Sequence, residues 1–283
     1  MSRRPHATRA VVTGAGSGIG RALALELAAR GAAVVCADLD EVTAKETVRL
    51  VETAGGDAVA VACDVSAEDD VRRLSEESRD WFGQSPDLVV NNAGIGAGGH
   101  PVGESPLSDW EHTLGVNLWG VIHGCHVFAP QLREQGAGGI INVASAAGFA
   151  AAPRMAAYNV SKAGVVSLSE TLAAELSGSG VAVTVLCPTF VRTNIFGGEL
   201  IDPAASELAR RISRIAGFSP ERVARLTLDA HRRGRLYVLP QLDAKAVWQL
   251  KRLAPTPYAR VAGLLGRFAP IGSATHTTTQ EDR

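Results

Sequence analysis

The sequence predicts an α/β fold: a doubly wound parallel sheet of about seven strands, helices on both faces, and a C-terminal helical extension. Three observations carry this reading. Short apolar runs alternate with amphipathic stretches from residue 9 to residue 239. The apolar runs are continuous, as expected of strands buried on both faces. The first of them passes through a glycine-rich turn directly into a run rich in Ala and Leu.

Strands are expected near 9–13, 33–38, 58–63, 87–91, 138–144, 181–187 and 235–239, and helices near 18–30, 41–54, 67–81, 107–134, 153–178, 203–216 and 220–232. Asp202-Pro203 and Ser219-Pro220 each place a cap residue before a proline at the first helical position. Residues 1–240 read as one domain in which 189–218 is a variable substrate loop. Residues 241–273 read as two short amphipathic helices separated by Pro255 and Pro257, and 274–283 as a polar, disordered tail. At 283 residues and 46% apolar content the chain can build a sizeable single core.

Net charge is −1, which gives no global field for nucleic acid. The charge is segregated, however: residues 203–283 hold 14 cations and 6 carboxylates, net +8, leaving −9 for the rest. Solvated helix faces are the favoured reading of that asymmetry. A tail packed on its own domain or on a neighbouring subunit is the favoured reading of the extension, with contact to an anionic membrane surface second. Cys36, Cys63, Cys125 and Cys187 lie in apolar runs without metal-ligand spacing, so buried reduced thiols, no metal and a cytoplasmic location are expected. His123 and His126 lack a third ligand nearby and read as packing residues.

Chemistry is concentrated in a few places. Gly14, Gly16, Gly18 and Gly20, with Ser17 and Ile19 between them, join strand to helix. Glycines there permit a tight turn and close approach of a pyrophosphate to the positive helix end. Asp38 ends the second strand, 18 residues after Gly20, where a carboxylate can accept from both ribose hydroxyls and repel a 2′-phosphate. With no arginine at Ser17 or Leu39, NAD is preferred to NADP. Asp64 and Val65 follow the third strand, where Asp64 can bond an adenine amino group or cap a helix. Asn91-Asn92-Ala93-Gly94 ends the fourth strand, with small residues for close passage of a cofactor and Asn side chains able to brace neighbouring strands. Tyr158 and Lys162 are four apart and share a helix face. An ammonium beside a phenol is expected to lower its pKa and make it an acid–base group near neutral pH. Ser145 precedes Tyr158 by 13 residues.

Together these elements resemble the short-chain dehydrogenase/reductase family, in its compact single-domain branch with a Rossmann fold. The matching pieces are Thr13-Gly14-x-x-x-Gly18-x-Gly20, Asp64, Asn91-Asn92-Ala93-Gly94, Asn117, Ser145, Tyr158-x-x-x-Lys162 and Pro188 through Thr193, in order across residues 8–240. The resemblance implies a catalytic set of Asn117, Ser145, Tyr158 and Lys162. Tyr158 would be acid in reduction and base in oxidation, Ser145 would bond the substrate oxygen, and Lys162 would hold the nicotinamide ribose. Asn117 would hold a water linking Lys162 to solvent. Cofactor contacts would extend to Pro188, Val191 and Thr193. It also implies a homodimer or homotetramer. Thr189 stands where the family commonly has glycine. The expected substrate is a hydrophobic secondary alcohol or ketone, bounded by residues 95–102, 146–155 and 189–218, with Phe149, Phe190 and Phe196 as contacts. A nucleotide-binding sensor without turnover and an NADP-dependent carbonyl reductase are the alternatives.

Overall fold

The computed structural model describes residues 7–198 and 200–268. The expected disordered tail at 274–283 lies outside the described residues. Seven parallel strands form one sheet in the order β3-β2-β1-β4-β5-β6-β7. They are β1 (Arg9–Thr13), β2 (Ala33–Asp38), β3 (Ala58–Ala62), β4 (Leu88–Asn91), β5 (Gly138–Val143), β6 (Val181–Leu186) and β7 (Tyr237–Val238). Their Val, Ile and Ala side chains are almost all buried because helices cover both faces. One apolar cluster packs Leu23, Leu27, Val34, Val90, Ile141 and Leu228 on one face. The other packs Leu74, Val89, Phe128, Leu132, Ile140 and Val183 on the opposite face.

The helices are α1 (Gly18–Ala29), α2 (Glu41–Thr53), α3 (Glu68–Phe82), α4 (Leu107–Leu114), α5 (Gly120–Gln135), α6 (Ala147–Ala150), α7 (Ala156–Glu175), α8 (Pro203–Ala216), α9 (Pro220–Arg232), α10 (Leu242–Leu253) and α11 (Pro255–Phe268). Asp202 accepts from Ala204 N and Ala205 N, and Ser219 from Arg222 N, so both expected caps are in place. The strand order reverses between β1 and β4. Their carboxyl ends therefore open a crevice, the place where ligands bind in such sheets.

Two expected helices are broken. The stretch 107–134 is interrupted by a π-helical turn, Gly115–Trp119, which contains the buried Asn117. Its side chain exchanges two hydrogen bonds with the Ile95 backbone, a tertiary contact that sequence periodicity does not show. The stretch 153–178 begins with the short α6 and a loop before α7. Ala151 and Arg154 in that loop adopt left-handed φ values of 52° and 61°. Pro153 disfavours a helical residue before it, and Asn159 Nδ2 holds the Ala152 carbonyl at 2.7 Å. Pro255 opens α11 as its first residue, with Pro257 inside its first turn.

Candidate active site

The glycine turn lies at the mouth of the crevice. Gly14 has φ of 62°, and a Cβ on Gly20 would meet the Gly14 carbonyl at 2.0 Å, so the turn and α1 fit together only without side chains there. Ser17 precedes α1 but makes no side-chain cap bond, whereas Asp40 caps α2 through Val42 N and Thr43 N. The N–H groups of the first turn of α1 therefore remain available to an anion. Ile19 lies partly buried in that turn. Thr193 closes the far side: a Cβ on Gly18 would lie 3.1 Å from its methyl group. Beside this junction is a cavity of about 190 Å³, bordered by Gly18, Arg21, Arg192, Thr193 and Glu221. Neither Ser145 nor Tyr158 borders it.

Asp38 leans over the turn and accepts from Gly16 N at 2.8 Å. Leu39 is exposed beside it. Arg21 was not singled out by sequence; it donates to the Gly16 carbonyl, to Thr47 Oγ1 at 3.0 Å and to Glu46 at 2.9 Å. No motif flags it, because two of its three partners, Glu46 and Thr47, come from α2. Asp64 accepts from Ser66 N and Ser66 Oγ, bracing the turn before α3, while Val65 is buried. Asn91 Nδ2 donates to Asn142 Oδ1 at 2.8 Å, bracing β4 against β5. Asn92 ties the β4 end to Thr13 and Gly14 carbonyls, and the Ala93 N–H donates to Thr13 Oγ1.

Ser145 follows β5, and Tyr158 and Lys162 share one face of α7. The Ser145 hydroxyl neighbours the Tyr158 phenol and acts to lower its pKa. Ser145 Oγ accepts from Ala147 N at 3.1 Å and makes only a long 3.4 Å contact with the Pro188 carbonyl. Lys162 is buried and donates to the Val143 carbonyl at 3.2 Å. Its Nζ lies 5.8 Å from the centre of the Tyr158 ring. A Cβ on Gly94 would sit 3.0 Å from Asn117 Oδ1 and 3.3 Å from Lys162 Nζ, so these groups converge on one glycine.

The titration behaviour differs from the expectation drawn from spacing. Burial raises the Tyr158 phenol above the ordinary tyrosine value, against the lowering effect of the Ser145 hydroxyl. The same desolvation pushes Lys162 down to about 8, which weakens the lysine as a source of positive field. Cys187 is pushed up to about 12 by burial and stays a thiol. All four cysteines are free and buried, and no cluster of three or more metal-ligating side chains occurs among the described residues. His123 faces the Val65 carbonyl at 2.9 Å.

The three expected walls do meet. Gly98 exchanges backbone bonds with Leu200 and Asp202, and Gly99 N donates to the Arg154 carbonyl at 2.8 Å. Val191 is buried and bridges to Phe218. Phe149 packs against Trp248 of α10, with ring centres 6.2 Å apart. The Phe190 carbonyl accepts from Gln241, and the Phe196 side chain lies outside those described. The extension supplies contacts that sequence reasoning missed. The buried Gln241 also accepts from Thr189 N at 3.2 Å, Thr189 Oγ1 bonds Asp243, and Tyr258 donates to the Ala150 carbonyl at 2.8 Å.

A family profile described as short chain dehydrogenase matches residues 8–202. The chain belongs to the short-chain dehydrogenase family. Its relatives include D-threitol dehydrogenase of Mycolicibacterium smegmatis, 36% identical over 76% of this chain and 82% of that protein. "Probable oxidoreductase EphD" of Mycobacterium tuberculosis is 36% identical over 89% of this chain, which spans only 44% of that longer protein. A short-chain dehydrogenase/reductase from Burkholderia phymatum, solved in complex with NAD, is 38% identical with a TM-score of 0.83, covering 89% of this chain and 95% of that one. The family binds a nicotinamide cofactor. The glycine turn, the uncapped α1 and the Asp38 carboxylate fit such a group.

Proposed function

We propose that this chain is an NAD-dependent oxidoreductase that interconverts a secondary alcohol and its ketone. The observation that carries the reading is the convergence of Ser145, Tyr158 and Lys162 beside Gly94 and Asn117. When bound, the cofactor supplies the hydride in reduction and accepts it in oxidation. The α1 N-terminus would hold its pyrophosphate, Asp38 its adenosine ribose, and Lys162 its nicotinamide ribose. Asp64 and Val65 would border the adenine, and Pro188, Val191 and Thr193 the nicotinamide. The Asp38 carboxylate supports NAD over NADP. Arg21, the guanidinium nearest the turn, is already paired with Glu46 and the Gly16 carbonyl and so is poorly placed to welcome a 2′-phosphate.

With its pKa raised, Tyr158 is a phenol at neutral pH, suited to donate its proton to a ketone oxygen and to recover it from an alcohol. Ser145 Oγ, oriented by Ala147 N–H and only loosely held at Pro188, would turn its own proton toward the same oxygen and stabilise the alkoxide-like charge. The Lys162 ammonium would keep that charge company from behind Tyr158, with Asn117 leading protons outward through a water. Near the wall junction Ala97, Trp110, Met155 and Leu200 offer apolar surface to a substrate, beside the polar His100, Ser105, Asp109 and Arg154. Exposed Trp119 and Val160, on the faces of the central helices, support pairing with a second copy.

The test is NADH appearance with purified protein, NAD or NADP, and a panel of secondary alcohols. Turnover with NAD that vanishes in Tyr158→Phe, with NAD binding retained, is the expected result. Undiminished turnover in Tyr158→Phe would refute the assignment of the proton donor, and NAD binding without turnover on any alcohol would favour a sensor.

A further inference from the structure

The C-terminal helices carry two kinds of apolar residue, some packed on the domain and some exposed. The inner face of α10 packs buried Ala244, and Trp248 against Phe149 and Tyr237. The inner face of α11 presents Tyr258 to the Ala150 carbonyl, and Gly266 so close to Pro153 that a Cβ would lie 3.1 Å away. Both helices thus address the same 149–153 loop, and each also keeps an outer face exposed to solvent. Those outer faces are not polar. Leu242, Leu250 and Leu253 recur at helical spacing along α10, and Val261, Leu264 and Leu265 along α11, all exposed; Leu253 reaches 83% and Leu265 68%. An ordinary solvated helix face carries charge at such positions, and apolar clusters of this kind mark interaction surfaces.

The flanking charge indicates the kind of partner. Exposed Lys245 and Arg260 flank these stripes, Arg252 lies over the Trp248 ring and Lys251 is half-buried, with Asp243 as the one carboxylate between residues 242 and 266. Asp243 is engaged by Thr189, and none of the ion pairs among the described residues involves the four cations. A two-fold contact with a second copy would set this basic face against itself, cation to cation. An anionic lipid surface matches both features at once: the stripes enter the acyl boundary and the cations meet the headgroup phosphates. No described helix is long and apolar enough to cross a bilayer, so the contact is with the surface.

We propose that the outer face of α10 and α11 docks on an anionic membrane surface, holding the 149–153 wall of the crevice next to the lipid. Sedimentation of the full chain with vesicles tests it. Binding is expected to phosphatidylcholine vesicles containing phosphatidylglycerol, to weaken with added salt, and to be much weaker with phosphatidylcholine alone. Leu253→Asp and Leu264→Asp are each expected to reduce binding about tenfold or more while leaving the fold and NAD binding intact. Failure to bind anionic vesicles at low salt overturns the proposal, as does binding that both substitutions leave unchanged. If instead the substitutions dissociate an oligomer in analytical ultracentrifugation and vesicles are ignored, the face belongs to a second copy and the proposal is wrong.

Discussion

The two sides of the crevice are built by different means. On one side Ser145, Tyr158 and Lys162 come from adjoining elements, β5 and α7, and are locked by bonds to neighbours such as Val143 and Ala147. On the other, the wall is assembled from 95–99, 149–154, 189–202 and the C-terminal helices, tied by Gln241, Tyr258 and the Gly98–Leu200 bonds. The first arrangement draws on residues within 20 of one another and centres on a buried Lys162; the second joins segments up to 108 residues apart. The contrast suggests that substitutions on the first side should strike the chemical step, while those on the second should strike substrate fit and local stability.

The largest effect should come from Tyr158→Phe, with kcat down by about 10²–10⁴-fold and the fold unchanged by circular dichroism. The pH profile sharpens the same point. Because the phenol is raised, ketone reduction should be sustained through neutral pH and fall only in the alkaline range, while alcohol oxidation rises over that range. A reduction rate that falls from pH 6 to pH 7 would contradict a raised phenol.

Lys162→Met should abolish most turnover yet stabilise the chain. The folded pKa of about 8 lies below the unfolded value of 10.5, so the unfolded chain binds the proton more readily between them. Wild-type stability should therefore rise with pH across that window, with the full cost of burying the charge present below it. Removing the charge should gain on the order of 1–3 kcal/mol at neutral pH, read as a higher Tm, and should flatten that pH dependence. An unchanged slope would mean that Lys162 is not the titrating group.

Asp38→Ala should raise the KM for NAD about 10–100-fold and narrow the preference over NADP, with kcat at saturating cofactor little altered. Smaller effects belong to the assembled wall. Gln241→Ala leaves Thr189 N–H and the Phe190 carbonyl without this partner and should cost about 1–3 kcal/mol of stability, with KM for the substrate rising more than kcat falls. Tyr258→Phe removes one neutral hydrogen bond and should cost about 0.5–1.5 kcal/mol by chemical denaturation, with little change in kcat. A kcat loss in either variant matching that of Tyr158→Phe would erase the distinction between the two sides.

Much of the fold was legible in the chain because its strands are continuous apolar runs and its glycine turn separates strand from helix. The caps at Asp202 and Ser219 marked their helices for the same local reason. Where local signals misled, a distant partner was responsible. Asn117 sits in a π turn because its side chain exchanges bonds with Ile95, and the loop after α6 keeps Ala151 and Arg154 in left-handed conformations between Pro153 and the Asn159 bond. Arg21 and Gln241 carried no sequence signal, since each gains partners from a segment that folding brings to it.

The sequence by itself determined the alternation of elements, the parallel sheet and the glycine turn between β1 and α1, which follow from periodicity and local spacing; the Ser145, Tyr158 and Lys162 set came from the resemblance to a family. The tertiary structure decided the direction of the Tyr158 and Lys162 shifts, because desolvation depends on everything packed around a group and not on the residue four positions away. It also decided which apolar residues of α10 and α11 face the domain and which face outward. An amphipathic pattern with apolar residues on both sides does not reveal its inner face until a neighbour, here the 149–153 loop, claims one of them.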